Sequence, residues 1–369
     1  MSFPWQKLLA LTGFPFLLLG LPLFGLYLAG IPMGPFLEFP PRTMDAGHAD
    51  FNAYVFAVMA LCIMGIIGPV VIHQFNYPIR KADNIRRPAF PVWGYAGLLI
   101  MLTGWFLAWT RFEWMEPLQR STFTPMWIGY ILVVNALTLR RSGYSLCSNH
   151  PWFFLLLFPL SSLFWWFFEY LNRFVQNWHY PGADDLSSIR YLMEATISFS
   201  IVLPAVISTR NLLVTFPRFS QPFQSWVKVR DIDHRGIWLL LGLASGAGLA
   251  LTGLVPDLLF PVLWISPFLI WIALQQLSAM TNPLVAGLKQ GDWTLLWSSA
   301  VAAMVCGFFW EMWNYYSLAK WVYTIPYVDH WRIFEMPLLG YAGYLPFGVG
   351  CAAMVDSLAH WMKIKFPVS

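Results

Sequence analysis

Two glutamate–asparagine pairs carry the clearest chemistry in the chain. Glu169 and Asn172 stand three residues apart, as do Glu311 and Asn314, and each pair lies in or beside a long apolar run. At that spacing a helix presents both side chains on one face. A carboxyl group in apolar surroundings is a candidate proton donor, and a neighbouring amide can orient it or its substrate. After each pair the same order of residues follows: Trp178, Tyr180, Pro181, Arg190, Glu194 and Pro204 in the first copy, and Trp321, Tyr323, Pro326, Arg332, Glu335 and Pro346 in the second. The Glu, Asn and Pro offsets are 142 residues (169 to 311, 172 to 314, 204 to 346) and the Trp offset is 143 (178 to 321). Internal duplication explains this register better than chance.

Glu194 and Glu335 are expected to open the helices that follow, where the positive end of the helix dipole favours a carboxylate and Arg190 or Arg332 lies about one turn upstream. An acid in apolar surroundings facing one held as an anion would suit proton donation at one atom and removal at another. The candidate catalytic set is therefore Glu311, Asn314, Glu335, Glu169, Asn172 and Glu194. Candidate substrate-binding residues are Trp321, Tyr323, Trp313, Trp178, Tyr180, Arg332 and Arg190. The alternatives are a helix-end glutamate that reaches the interface and a plain helix-start salt bridge. The aromatic cluster Trp165, Trp166, Phe167 and Phe168, with Phe308, Phe309, Trp310 and Trp313 in the second copy, walls an apolar slot or packs against lipid. His179 and His330 lie in the equivalent loops but without metal-ligand spacing, so no metal and no cofactor is expected.

The elements that position these residues are membrane helices. With 58% hydrophobic and only 11% charged residues over 369 positions, an ordinary water-soluble globule is excluded. Apolar runs long enough to cross a ~30 Å hydrocarbon core are expected at 8–31, 53–75, 91–110, 122–139, 152–172, 190–213, 236–255, 259–280, 294–317 and 335–361. The fold class is all-α, with about ten transmembrane helices. Threading them places fifteen of the 22 basic residues on one side, among them Arg80, Lys81, Arg86, Arg87, Arg140, Arg141, Arg210 and Lys365, and seven, including Arg42, on the other. The richer side is read as cytoplasmic, with both termini there, in a cell inner membrane. That bias accounts for the net charge of +4, and no nucleic-acid partner is expected. Residues 1–88 form a two-helix extension, and 89–215 and 235–369 form four-helix repeats. The linker at 216–234 is expected to carry a short amphipathic stretch at the surface. An even helix number per repeat makes the two copies parallel, so both Trp-x-Tyr loops face the same way.

The segments Trp310-Glu311-Met312-Trp313-Asn314, Lys320-Trp321-Val322-Tyr323-Thr324-Ile325-Pro326 and Glu335-Met336-Pro337-Leu338 resemble the lycopene cyclase domain of small membrane carotenoid cyclases, over about 30 residues in each half. The chain departs from that family in having a single Glu335 before Pro337, no proline beside Glu194 and four helices per unit. The resemblance implies non-redox, acid–base cyclisation of a polyene in the bilayer, with proton donation by Glu311 or Glu335 and less directly by Glu169 or Glu194. The expected function is a cofactor-independent isomerase or cyclase of an isoprenoid or carotenoid-like lipid. A transporter, a lipid- or quinone-binding membrane subunit and a structural subunit of a larger membrane complex remain alternative readings, since duplication and intramembrane acids fit them too.

Overall fold

Lipid offers backbone amides no partner, so apolar runs of this length satisfy their hydrogen bonds within a helix. The computed structural model, which describes residues 5–41, 46–80, 88–183, 186–232, 234–364 and 366, follows that rule. Its principal helices are α1 Trp5–Leu28, α2 Ala53–Asn76, α3 Val92–Trp109, α4 Phe123–Ser142, α5 Pro151–Val175, α6 Ser188–Phe199, α7 Val202–Val214, α8 Arg235–Leu251, α9 Val262–Leu277, α10 Thr294–Tyr315 and α11 Tyr344–Trp361. The architecture is that of a helical membrane protein: among the described residues, eight stretches are long and apolar enough to cross a bilayer. The expected spans at 236–255 and 259–280 are helical but shorter, at 17 and 16 residues. At ~1.5 Å per residue each measures roughly 25 Å, short of the ~30 Å core. Arg42, Lys81, Arg86, Arg87 and Lys365 lie outside the described residues.

Two expected spans are not single continuous helices. The 190–213 run is two helices, α6 and α7, because Pro204 supplies no amide hydrogen and its ring crowds the carbonyl four residues back, at Ser200, which ends α6. The 335–361 run opens instead as a short strand, Met336–Pro337, and a 3₁₀ helix, Leu338–Gly343, before α11. Pro204 and Pro346 each occupy the third position of their helices, where a missing amide hydrogen costs little.

Helices at equivalent positions pack alike. α3 lies on α4 as α8 lies on α9, α5 on α7 as α10 on α11, and α4 on α7 as α9 on α11. The halves meet where α7 packs on α10 and where Phe164, Trp165 and Phe168 of α5 surround Phe347 of α11. α1 packs on α8, α9 and α5, whereas the apolar window of α2 has no buried residue. The loop between them is pinned to both halves: His48 Nδ1 is 2.6 Å from Asp257 Oδ1, and its Nε2 is 3.2 Å from the Gln176 carbonyl oxygen. The 216–234 linker lies largely at the surface, with Gln224, Ser225, Val227, Lys228 and Arg230 exposed. Its short helix and turn bury Pro222 and Phe223, and Arg218 Nη1 donates to the carbonyls of Gln74 and Tyr77 at the end of α2.

Of the glycines in the last run, Gly348 allows the closest approach: a Cβ there would meet the Ser299 carbonyl oxygen of α10 at 2.1 Å. The crossing of α1 and α8 is tighter still, since a Cβ on Gly25 would lie 1.7 Å from the Ala250 carbonyl oxygen. Backbone cannot retreat as a flexible side chain can. Gly25→Val is therefore expected to cost more than ~3 kcal/mol and to abolish a monodisperse peak in size-exclusion chromatography. Gly20→Ala, on the same helix with nothing within 4 Å of the added carbon, is expected to behave as wild type; equal behaviour of the two variants would show that α1 does not cross α8 at Gly25.

Candidate functional site

The asparagines build the site by bracketing backbone. Asn172, near the end of α5, accepts from the Asn177 and Trp178 amides (2.8 and 3.4 Å) and donates to the Trp178 carbonyl at 2.7 Å. Asn314 repeats this at the end of α10, accepting from the Trp321 amide at 2.9 Å and donating to its carbonyl at 2.7 Å. Each amide thus fixes the backbone of the tryptophan that opens a Trp-x-Tyr segment and does not line the cavity described below. The bracketed segments form strands β1, Trp178–His179, and β2, Val322–Tyr323, which pair antiparallel with Trp178 opposite Tyr323 and His179 opposite Val322. In this register the tryptophan of the first segment faces the tyrosine of the second.

Behind each strand lies one of the repeated glutamates, Glu169 at 1% and Glu311 at 0% exposure. Oε1 of Glu169 accepts from the indoles of Trp165 and Trp178, both at 3.0 Å, and from the Tyr180 hydroxyl at 2.5 Å. Oε1 of Glu311 accepts from the hydroxyls of Tyr323 at 2.8 Å and Tyr344 at 2.5 Å, while the Trp321 indole donates to the Tyr323 hydroxyl at 2.8 Å. The second carboxyl oxygen, Oε2, is buried in both residues without a hydrogen-bond partner. Burial, and then the adjacent carboxylate, push the phenols of Tyr180 and Tyr323 well above their ordinary range, which keeps them neutral donors.

These donors wall one cavity of about 160 Å³, shared by the two motif sets. Trp165, Trp178, Tyr180 and Tyr191 line it from the first half, Trp310, Trp321, Tyr323 and Tyr344 from the second, with Trp264 of α9 and Phe123 of α4. Arg120, Glu194 and Lys320 are its charged residues. Glu194 lies midway along α6 and pairs with exposed Arg190 at 2.7 Å. It does not open the helix, because Ser187 caps α6 seven residues earlier by accepting from the Arg190 amide. Glu335 is likewise not at a helix start. It sits in the turn between strands β3, Arg332–Ile333, and β4, Met336–Pro337, and pairs with Lys320 at 2.6 Å. Arg332 bonds Asp329 at 2.7 Å and the Tyr323 carbonyl at 3.0 Å, and thereby ties this turn to β2. Trp313 faces away from the cavity, packed on Trp127 and Phe309 in the core. Of the two aromatic clusters, Trp165 and Trp310 line the cavity, whereas Phe308 is 45% exposed.

Tyr344 and Trp264 belong to the site without having stood out in the sequence. The 142-residue offset carries the signal for Tyr344. Trp165 corresponds to Gly307, and Val202 to Tyr344, so the third group around each glutamate comes from the same helix in one half and from the next helix in the other. No family model, no curated protein and no solved structure matches the chain.

Proposed function

We propose that the chain is a ten-span membrane protein of two parallel four-helix repeats plus an N-terminal helical pair, and that it isomerises or cyclises an isoprenoid or carotenoid-like lipid by acid–base chemistry without a cofactor. The 142-residue offset shared by the glutamate, asparagine and proline positions supports the two repeats, and an even number of helices in each makes them parallel. The two shorter helices, α8 and α9, complete the second repeat, and the helix ends richer in Lys and Arg lie on the cytoplasmic side of a cell inner membrane.

The observation that carries the function is convergence: one aromatic cavity is walled by the hydrogen-bond donors of both buried glutamates. An apolar chain fits such walls, and the faces of Trp and Tyr stabilise a carbocation formed when a C=C bond is protonated. Loss of a proton from a neighbouring carbon then ends the reaction. One observation favours a second reading, the binding of a lipid or quinone without chemistry: neither glutamate is among the residues that line the cavity. Mass spectrometry of lipids that remain bound after gentle purification from native membranes separates the two. Strong enrichment of an unsaturated isoprenoid and its isomer over the bulk extract is the expected result. A quinone alone would favour binding, and bulk phospholipid alone would remove both readings.

A further inference from the structure

An acid that does not reach its substrate needs a group that hands protons across. A phenol hydroxyl donates and accepts, so it can take one proton as it releases another, whereas an indole N–H only donates. Two of the three groups on Glu169 are indoles, but both groups on Glu311 are phenols. Of these, Tyr323 already accepts from Trp321. The Tyr344 hydroxyl bonds Glu311 and meets the Tyr323 hydroxyl; among the described residues no indole donates to it, and Tyr344 lines the cavity. The sequence makes room for it: a Cβ at position 307 would lie 2.4 Å from the Tyr344 ring, and residue 307 is glycine where the first half has Trp165.

The geometry points to Tyr344 as the catalytic residue that exchanges a proton with the ligand in this cavity, with Glu311 behind it as the proton reservoir. This assignment rests on the acid–base reading above. In the forward step, which starts from protonated Glu311, the Tyr344 hydroxyl turns its hydrogen from Glu311 to the alkene; its O–H bond breaks as a C–H bond forms there, and the Glu311 proton passes to the phenol oxygen. The products are a carbocation and a Glu311 carboxylate. In the return step a C–H bond next to the cation breaks, its electron pair forms the new C=C bond, and its proton goes to the Tyr344 oxygen. The phenol proton moves to Glu311, so no proton is consumed.

The test uses the full chain in liposomes prepared in deuterated water, with the acyclic polyene lycopene as probe. Deuterium in the recovered polyene reports proton exchange, and quenching of tryptophan fluorescence reports binding. Wild type is expected to introduce deuterium; Tyr344→Phe is expected to bind the probe as wild type does and to lose at least ~100-fold of the labelling. A double variant, Gly307→Trp with Tyr344→Val, copies the first half's arrangement and restores a donor to Glu311 that cannot relay. It is expected to bind and to stay inactive. Labelling by Tyr344→Phe at the wild-type rate, or recovery in the double variant, would overturn the relay while the acid–base reading stands. Should Tyr344→Phe fail to fold, the double variant alone decides. No labelling by wild type would remove both the relay and the reading beneath it.

Discussion

Glu311→Gln is expected to fold with some loss of stability, because its NH2 group takes the buried place of the partnerless Oε2, and to lower polyene conversion by roughly 10²–10⁴-fold, the usual worth of a positioned acid or base. Glutamine keeps an amide oxygen where Oε1 accepts from Tyr323 and Tyr344, so the walls of the cavity stay in place. What it cannot do is gain or release a proton at that oxygen. Glu311→Leu separates this chemical loss from a structural one. It strips the acceptor from two buried phenols, and each donor left without a partner costs about 1–3 kcal/mol. The two variants should therefore differ in thermal midpoint while both lose activity. Thermal unfolding in detergent, beside conversion of a bound polyene, reads both quantities. Wild-type conversion by Glu311→Gln would remove the glutamate from the reaction and leave it a structural anchor for Tyr323 and Tyr344.

The repeated residues led to the centre of the site because an offset shared by several residue types is a long-range signal. It placed Glu169, Glu311, Trp178, Trp321, Tyr180 and Tyr323 in equivalent positions, and these form the wall of the cavity and the acids behind it. Spacing also put Glu and Asn on one helix face, but a shared face does not say what lies opposite. The asparagine amides meet loop backbone. Tyr344 escaped notice for the opposite reason: a search for identity between copies passes over a position where valine in one half answers tyrosine in the other, although the partner change from Trp165 to Gly307 compensates it sterically. Local signals read too coarsely account for the misplaced acids. Ser187 marks the start of α6 ahead of Glu194, and Met336–Pro337 after Glu335 is an extended pair. The eight longer helical stretches were legible from hydropathy alone, whereas the break at Ser200 required weighing Pro204 against an otherwise continuous apolar run.

Asp356→Ala is expected to destabilise the interface of the two halves strongly. Asp356 of α11 accepts from Arg210 Nη1 of α7, with the two side chains only 7% and 3% exposed. The guanidinium also sits over the Phe366 ring at 5.0 Å. Removing the carboxylate leaves a guanidinium buried among apolar helices without its counter-charge, a loss of about 3–5 kcal/mol. The cost comes from desolvation rather than from the missing bond, so it should vanish when both charges go. Arg210→Met with Asp356→Leu is expected to melt near wild type or above it, because apolar side chains of similar volume pay no desolvation penalty there. Thermal unfolding of the single and double variants in the same detergent gives the comparison. If the single variant melted as wild type does, water would have to reach Arg210, which its burial between α7 and α11 opposes. If the double variant were as unstable as the single one, the pair would contribute net attraction beyond its desolvation cost, and the contact between α7 and α11 would depend on charge rather than on the packing of their apolar faces.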